Sequence, residues 1–302
     1  MLPFERVSII GLGLIGSSVA RAVRANMPTV RLTGHDGDAQ VRETVRSLNL
    51  CDDVTDTPGA AVTDADLVIL CVPVGAMGVV AQSIAADLPA DAIISDVGSS
   101  KASVASALAT ALPNAVVIPA HPVAGTERSG PEAGFATLFH QRWCIVTPPE
   151  GAPDAAVERV RNFWERLGSN VETMDPAHHD LVLAITSHLP HLIAYTIVGT
   201  ASDLEAVTRS EVIKYSAGGF RDFTRIAASD PTMWRDVFLS NKDAVLEMLQ
   251  RFSEDLTALQ RAIRWGDGDA LFDLFARTRA VRRSIIEEGQ DDARPDFGRS
   301  DH

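Results

Sequence analysis

The sequence predicts an α/β fold, a doubly wound parallel sheet followed by an all-helical half, and three observations lead to that expectation. Short apolar runs alternate with amphipathic stretches from the N-terminus to about residue 174. A glycine turn, Gly11-Leu12-Gly13-Leu14-Ile15-Gly16, joins the first apolar run to the first amphipathic stretch. Beyond residue 175 the strand pattern stops and only helical spacing continues.

The elements follow in order. Val7-Ser8-Ile9-Ile10 is a short apolar run of the kind that forms a buried parallel strand. After the glycine turn, Ile15, Val19, Ala22, Val23 and Ala25 share one helical face. The three glycines have separate tasks: a tight turn, close backbone approach to a pyrophosphate, and close packing of helix on strand. The free N–H groups at the helix start can then receive phosphate charge. A second strand, Val30 to His35, ends in Asp36, 20 residues past Gly16, where a carboxylate can hold a ribose 2′-hydroxyl. The other reading of Asp36 is an N-cap of the next helix. As a ribose ligand it favours NAD over NADP, because it repels a 2′-phosphate; Arg42 lies close enough in sequence to compete with that preference.

Leu67 to Val72, stopped by Pro73, reads as a strongly apolar strand, with Ala92–Ser95 and Ala115–Ile118 as two more. Helices are expected over Val74–Asp87 and Lys101–Leu112. Ligands of such a sheet bind at the carboxyl ends of its strands, where Gly98-Ser99-Ser100-Lys101 and His121 are expected. His121 directly follows a strand expected in the same sheet. Trp143–Val146 and Val171-Glu172 read as further strands and Val157–Leu167 as a helix. The helical half reads as Ala177–Ile185, His191–Ala206, Met233–Gly266 and Asp269–Glu288. Within it Val245, Leu246, Leu249, Phe252, Leu256, Leu259 and Ile263 keep a 3- and 4-residue spacing that suits a core or a subunit seam. The expected domains are residues 1–174, 175–288, and a polar, disordered tail over 289–302.

Composition narrows the class. With 302 residues and 46% hydrophobic content the chain can bury a large core. A net charge of −13 argues against nucleic acid or an anionic membrane as partner, since either rewards a basic patch. Three scattered cysteines, Cys51, Cys71 and Cys144, suit a reducing compartment, and their spacing suggests no metal site. The first strand starts too early for a signal peptide, and His188, Pro190 and His191 interrupt the apolar stretch Leu181–Ala201. A cytoplasmic protein is expected.

Three islands beyond the glycine turn can carry chemistry: Asp96-Val97-Gly98-Ser99-Ser100-Lys101, His121 through Gly130, and a set in the helical half. That set holds Ser187-His188-Leu189-Pro190-His191, Gly218 through Arg225, and Met233-Trp234-Arg235-Asp236. Read as residues alone, His121 is a general base or a structural histidine before Pro122. Ser99 is a hydrogen-bonding partner or an N-cap, and Arg225 a carboxylate fork or a surface ion-pair partner of Asp222 or Asp230. Glu127 is a rim charge or a solvated loop residue, and Trp234 suits packing.

Taken together, GLGLIGSS, DVGSSK, HPVAGTERSG, TSHLPH, GGFRDFTRIA and DPTMWRD resemble the prephenate/arogenate (cyclohexadienyl) dehydrogenases of tyrosine biosynthesis, from about residue 5 to residue 288. The resemblance implies an N-terminal Rossmann domain, a helical domain through which two subunits dimerise, and NAD-dependent oxidative decarboxylation of prephenate or arogenate. It implies His121 as catalytic histidine, with Ser99 hydrogen-bonding near it, and Arg225 as the grip on substrate carboxylate. His191, Thr126, Glu127 and Asp222 are implied around the substrate, and Gly11, Gly13, Leu14, Ile15, Gly16, Asp36, Val72 and Pro73 around NAD. Alternatives are dehydrogenation of an amino-substituted prephenate, a small β-hydroxy acid as substrate, or a non-catalytic NAD sensor. The β-hydroxy acid class relies on a lysine in the helical half, where Lys214 and Lys242 lack an active-site setting.

Overall fold

The computed structural model describes residues 2–126, 128–208 and 214–287. Two compact units are present, Met1–Leu246 and Glu247–His302. In the first, strands β1 (Arg6–Ile10), β2 (Arg31–His35), β3 (Asp53–Val54), β4 (Leu67–Leu70), β5 (Ile93–Asp96) and β6 (Val116–Val117) form one parallel sheet in the order β3-β2-β1-β4-β5-β6. This is the doubly wound order.

Alternate residues of these strands point to opposite faces and feed two separate cores. Ile9, Leu67, Ile69 and Ile93 pack on one face with Val19, Val23 and Leu32. Ile10, Val68, Leu70 and Ile94 pack on the other with Met77, Ile84, Val104 and Leu108. Burial on both faces explains why β4 reads as an unbroken apolar run instead of an alternating one. The crossover helices are α1 (Leu14–Asn26), α2 (Ala39–Ser47), α3 (Pro58–Val62), α4 (Met77–Ile84) and α5 (Ala102–Ala111).

As expected, the strand before His121 is in the same sheet as the glycine turn, since β6 is its last strand, but His121 does not follow it directly or extend that sheet. It sits within β7 (Ala120–Pro122), which pairs antiparallel with β8 (Trp143–Val146). β8 in turn pairs parallel with β9 (Asn170–Thr173) in a second, three-stranded sheet. Pro119 is the physical reason: after Ile118 donates to Ile94, a residue without an N–H ends the ladder, and the Pro119 carbonyl receives Thr147 N instead. α6 (Asp154–Arg166) packs Phe163 and Trp164 into the α1-side core along with Cys144 and Val146.

The two sheets are tied by a fully buried cation. Lys101, at the N-terminus of α5, binds the Asp96 carboxylate at the end of β5 and donates to the Ala120 carbonyl of β7 at 2.7 Å. It thereby fixes the residue next to His121 against the end of the first sheet.

Past β9 the chain is helical. α7 (Pro176–Leu183) is capped by Asp175, which accepts from Ala177 N and His178 N. A π-helical turn, Ala184–His188, leads into α8 (Leu189–Thr208), with Pro190 in its first turn. Pro190 has no N–H to offer the preceding turn, which accounts for the local change of winding. α9 (Gly218–Thr224) leads into a 3₁₀ turn, Arg225–Ala228, and then α10 (Pro231–Ser240). The single helix expected over Met233–Gly266 is two helices, because the backbone breaks at Asn241 between α10 and α11 (Lys242–Trp265). Asn241 turns its amide inward, donating to the Asp180 carbonyl at 2.8 Å with His188 Nδ1 3.2 Å away, which satisfies a buried polar group that a continuous helix would not reach. The second unit holds most of α11 and α12 (Gly268–Glu287). The expected tail, 289–302, lies outside the described residues.

Replacing Lys101 by Met leaves Asp96 buried without its cation, a change that costs about 3–5 kcal/mol for such pairs. Denaturant unfolding of Lys101→Met is expected to show a loss of that size, and the double variant with Asp96→Leu a partial recovery. A fully stable single variant would remove the ion pair from the account of how the sheets are joined.

Candidate active site

The glycine turn is built as its sequence suggests, with each glycine under a different constraint. Gly11 has φ +95°, and a Cβ there would lie 2.5 Å from the Cys71 carbonyl oxygen. A Cβ on Gly16 would lie 1.9 Å from the Gly11 oxygen, so helix and turn touch backbone to backbone. A Cβ on Gly13 would meet nothing within 4 Å. Gly13 is the N-cap of α1 and no side chain caps that helix, which leaves its first amides uncapped. Leu14 and Ile15 begin the helix, and Val72 and Pro73 follow β4 beside Gly11.

Asp36 is not the N-cap of α2; Asp38 is, accepting from Gln40 N. The Asp36 carboxylate accepts from Leu12 N at 2.8 Å and Asp38 N at 2.9 Å, which locks the end of β2 to the glycine turn. Arg42 donates to the carbonyls of Asp36 and Gly37 and pairs with Asp56 at 3.4 Å. Its guanidinium is thus engaged at the backbone and at an acidic neighbour.

His121 is 7% exposed. Its Nδ1 lies 2.9 Å from Nε2 of His179, whose own Nδ1 lies 2.8 Å from Asp180 Oδ1. His121 Nε2 has no hydrogen-bond partner among the described residues. Burial drives the His121 pKa well below the usual histidine value, and the nearby Lys101 adds to the effect, so the imidazole is neutral. Asp180 also receives the amides of Lys101 at 2.6 Å and Ala102 at 3.0 Å, the open N-terminus of α5. Ser99 is therefore not the cap of α5. It is half-buried in the loop just before that helix.

A second cluster adjoins the first. His188 is fully buried, touches Asn241, and is pushed down to about 4 by burial. Its ring meets Trp234 edge-on at 6.0 Å, and Trp234 stacks on His191 with centroids 3.6 Å apart. His191 Nδ1 bonds the Ser187 carbonyl at 2.9 Å. Burial lowers its pKa, and Arg225 lies near enough to lower it further. The π turn makes this convergence possible. At about 100° per residue an unbroken helix would set His188 on the side opposite His179. The wider turn rotates the chain back, so that His179, Asp180, His188 and His191 serve one region.

Of the residues implied for substrate, His121, Ser99, His191 and Arg225 belong to these clusters or border them. Asp222 is exposed on α9 and Thr126 is exposed in the loop after β7, accepting from Arg128 N. Glu127 lies outside the described residues. Sequence reasoning missed His179, Asp180, Asn241 and the Asp96–Lys101 pair. The available signal was the His178-His179-Asp180 run inside an otherwise apolar helix, since buried ionisable groups of that kind need partners.

Family descriptions match both halves of the chain: "Prephenate dehydrogenase, nucleotide-binding domain" over residues 19–173 and "Prephenate dehydrogenase, dimerization domain" over 175–277. The cyclohexadienyl dehydrogenase of Zymomonas mobilis is 47% identical over 285 residues, covering 94% of this chain and 97% of its own. The prephenate dehydrogenase of Bacillus subtilis is 32% identical over 283 residues, covering 93% and 76%. A crystal structure of prephenate dehydrogenase from A. aeolicus, in complex with hydroxyphenyl propionate and NAD+, superposes with TM-score 0.87 at 32% identity, over 93% of this chain and 98% of that one.

The glycine turn yields a paired prediction. Gly16→Ala should lower thermal stability, because overpacking of this kind costs about 1–3 kcal/mol. Gly13→Ala should leave the free protein's melting temperature unchanged yet weaken NAD measured by calorimetric titration. Equal effects on both quantities from both variants would contradict the division of labour.

Proposed function

The chain belongs to the prephenate dehydrogenase family, and from that premise we propose that it oxidises and decarboxylates prephenate, arogenate or both with NAD, giving 4-hydroxyphenylpyruvate or tyrosine. The observation that supports this most directly is a neutral, buried His121 with Nδ1 tied to His179 and Nε2 without a partner among the described residues. Such a group is suited to take the proton of a reacting hydroxyl.

The nucleotide fits the residues present. Open space over Gly13 and the uncapped α1 amides suit a pyrophosphate held by Gly11, Gly13, Leu14, Ile15 and Gly16. The Asp36 carboxylate, with lone pairs beyond the two it uses, can accept ribose hydroxyls. Val72 and Pro73 would line the same side. Engagement of Arg42 with backbone carbonyls and Asp56 is consistent with NAD rather than NADP. When bound, NAD+ supplies the hydride acceptor.

The side chains then divide the remaining work. His121 accepts the proton of the ring C4 hydroxyl as that carbon becomes a carbonyl. Ser99 can hold hydroxyl and imidazole in one geometry. Arg225 forks a planar carboxylate, a task lysine performs poorly, with His191 packed against Trp234 beside it. Thr126, Glu127 and Asp222 complete the substrate set. The ring carboxylate leaves as carbon dioxide, its bonding pair entering the ring and passing to the carbonyl oxygen, which takes the proton back from His121 as the aromatic phenol forms. The same reading includes a homodimer: Leu256, Ile263, Phe272, Phe275 and Val281 of the second unit are exposed apolar residues that a second copy would cover. A cytoplasmic location accords with three free cysteines.

Initial rates with prephenate and arogenate, each with NAD and NADP, test the reading; turnover of at least one with NAD is expected. His121→Asn should lower kcat by roughly 10²–10⁴-fold, the usual range for a general base. No turnover of either substrate by folded, NAD-binding protein would overturn the proposal.

The pH dependence has a definite sign. A base must be neutral to act, and the His121 pKa is lowered, so kcat/KM should persist as pH falls through the ordinary histidine range and decline only below it. An acid limb at or above the usual histidine value would contradict this assignment.

A further inference from the structure

We infer that His179 and Asp180 are positioning residues that set the tautomer of His121, keeping a proton on its Nδ1 and leaving Nε2 bare toward the reacting hydroxyl. The inference deepens the function proposed above and rests on it for the identity of the substrate.

The direction of each hydrogen bond follows from one end of the chain. Burial works to raise the Asp180 pKa, but the bonds from His179 and the Lys101 and Ala102 amides outweigh it and hold the carboxyl below its usual range. The group is therefore ionised and can only accept. His179 Nδ1, 2.8 Å away, must carry its proton toward Asp180. Burial keeps His179 neutral despite that bond, so its Nε2 is bare and can only accept in turn. The atom facing it at 2.9 Å is His121 Nδ1, which must be the donor. A neutral His121 donating through Nδ1 has its lone pair on Nε2.

An isolated neutral imidazole samples both tautomers, and the wrong one presents an N–H to a hydroxyl whose proton it is meant to take. A carboxylate that fixes the tautomer of a catalytic histidine is an effective device elsewhere. Here a second imidazole stands between the two. The rings meet edge to face at 68° with centroids 5.1 Å apart, so the contact is a directed hydrogen bond and not a stack. When Nε2 takes the substrate proton, the Nδ1 proton remains in the bond to His179, one ring from an ionised carboxylate, and no proton is lost. The other titratable groups near His121 are Lys101 at the head of α5, His188 of the π turn and the Cys144 thiol of β8, with Asp96 behind Lys101. Of these groups Lys101 is the positive one, paired with Asp96, and it leaves the donor-acceptor order unchanged.

Ring ¹⁵N chemical shifts of the ¹⁵N-histidine-labelled full chain, with His121 assigned by its loss in His121→Asn, decide the matter without turnover. The wild type should show a protonated Nδ1 and an unprotonated Nε2 on His121. His179→Ala should populate the opposite tautomer and lower kcat about 10²-fold, with KM and NAD affinity little changed. His179→Gln, whose amide oxygen can accept the same proton, should restore the tautomer and bring kcat within about tenfold of wild type. A protonated Nε2 in the wild type, or an unchanged tautomer in folded His179→Ala, would overturn the inference. If the alanine variant does not fold, the wild-type spectrum and His179→Gln still decide. Absence of turnover in the wild type with the expected shifts would defeat the substrate reading alone.

Discussion

The Asp180 carboxylate is the junction on which the site depends. It closes the open N-terminus of α5 through two amides and holds His179 through Nδ1. α5 belongs to the nucleotide-binding sheet and α7 to the helical stretch that follows it, so one side chain aligns both with His121. An ionised carboxylate suits this task because it satisfies orphan amides and complements the positive end of the helix dipole in one geometry. Lys101 repeats the logic with opposite sign: its amide is held by Asp180, while its ammonium holds Asp96 and the strand bearing His121. Displacing either group would move the His121 imidazole as well as loosen a fold.

The irregularities of the helical stretch lie where polar groups must reach this junction. The π turn before Pro190 and the break at Asn241 both interrupt elements that a periodic sequence would continue. Each interruption carries a side chain inward, His188 in one case and Asn241 in the other, and the two meet at 3.2 Å. Regular hydrogen bonding was given up where polar side chains supply partners instead. The run Pro176–Asp203 is long and apolar enough by composition to cross a bilayer, with hydropathy 1.6. Yet it contains His179, Asp180 and His188, each buried with a hydrogen bond to a protein group in the first unit.

Those features decide what could be read in advance. The first sheet was legible except for the two-residue β3, because strands buried on both faces and a glycine turn are local signals, and Asp36 follows at a fixed distance. Roles for His121, His191 and Arg225 were suggested only by the combined motifs, since no one of them is distinctive, and they stand as proposals. Of the second sheet, β8 and β9 were legible as strands, but β7 and the separate pairing were not, because β7 is three residues long and a proline redirected it. Nor was the His179–Asp180 chain, whose partners are 58 to 79 positions away and meet only after folding. Local periodicity has no information on such contacts, and a histidine doublet in a helix start gives only a reason to look for them.

The proposed chemistry explains why a histidine of lowered pKa suffices. As hydride leaves C4, the hydroxyl becomes a protonated carbonyl, whose proton is strongly acidic, so the acceptor need not be a strong base. It must instead be unprotonated and correctly oriented whenever substrate arrives. Burial and the nearby Lys101 ensure the first condition, at the cost of disfavouring the imidazolium that forms. The Asp180–His179 arm offsets that cost at the moment it arises. Its attraction for a neutral His121 is small, and it strengthens only as positive charge develops on the ring. An interaction that grows toward the transition state accelerates the reaction, whereas one equally strong in the ground state does not. On this reading Lys101 helps keep the base neutral, and the Asp180 carboxylate, reached through His179, stabilises the imidazolium it becomes.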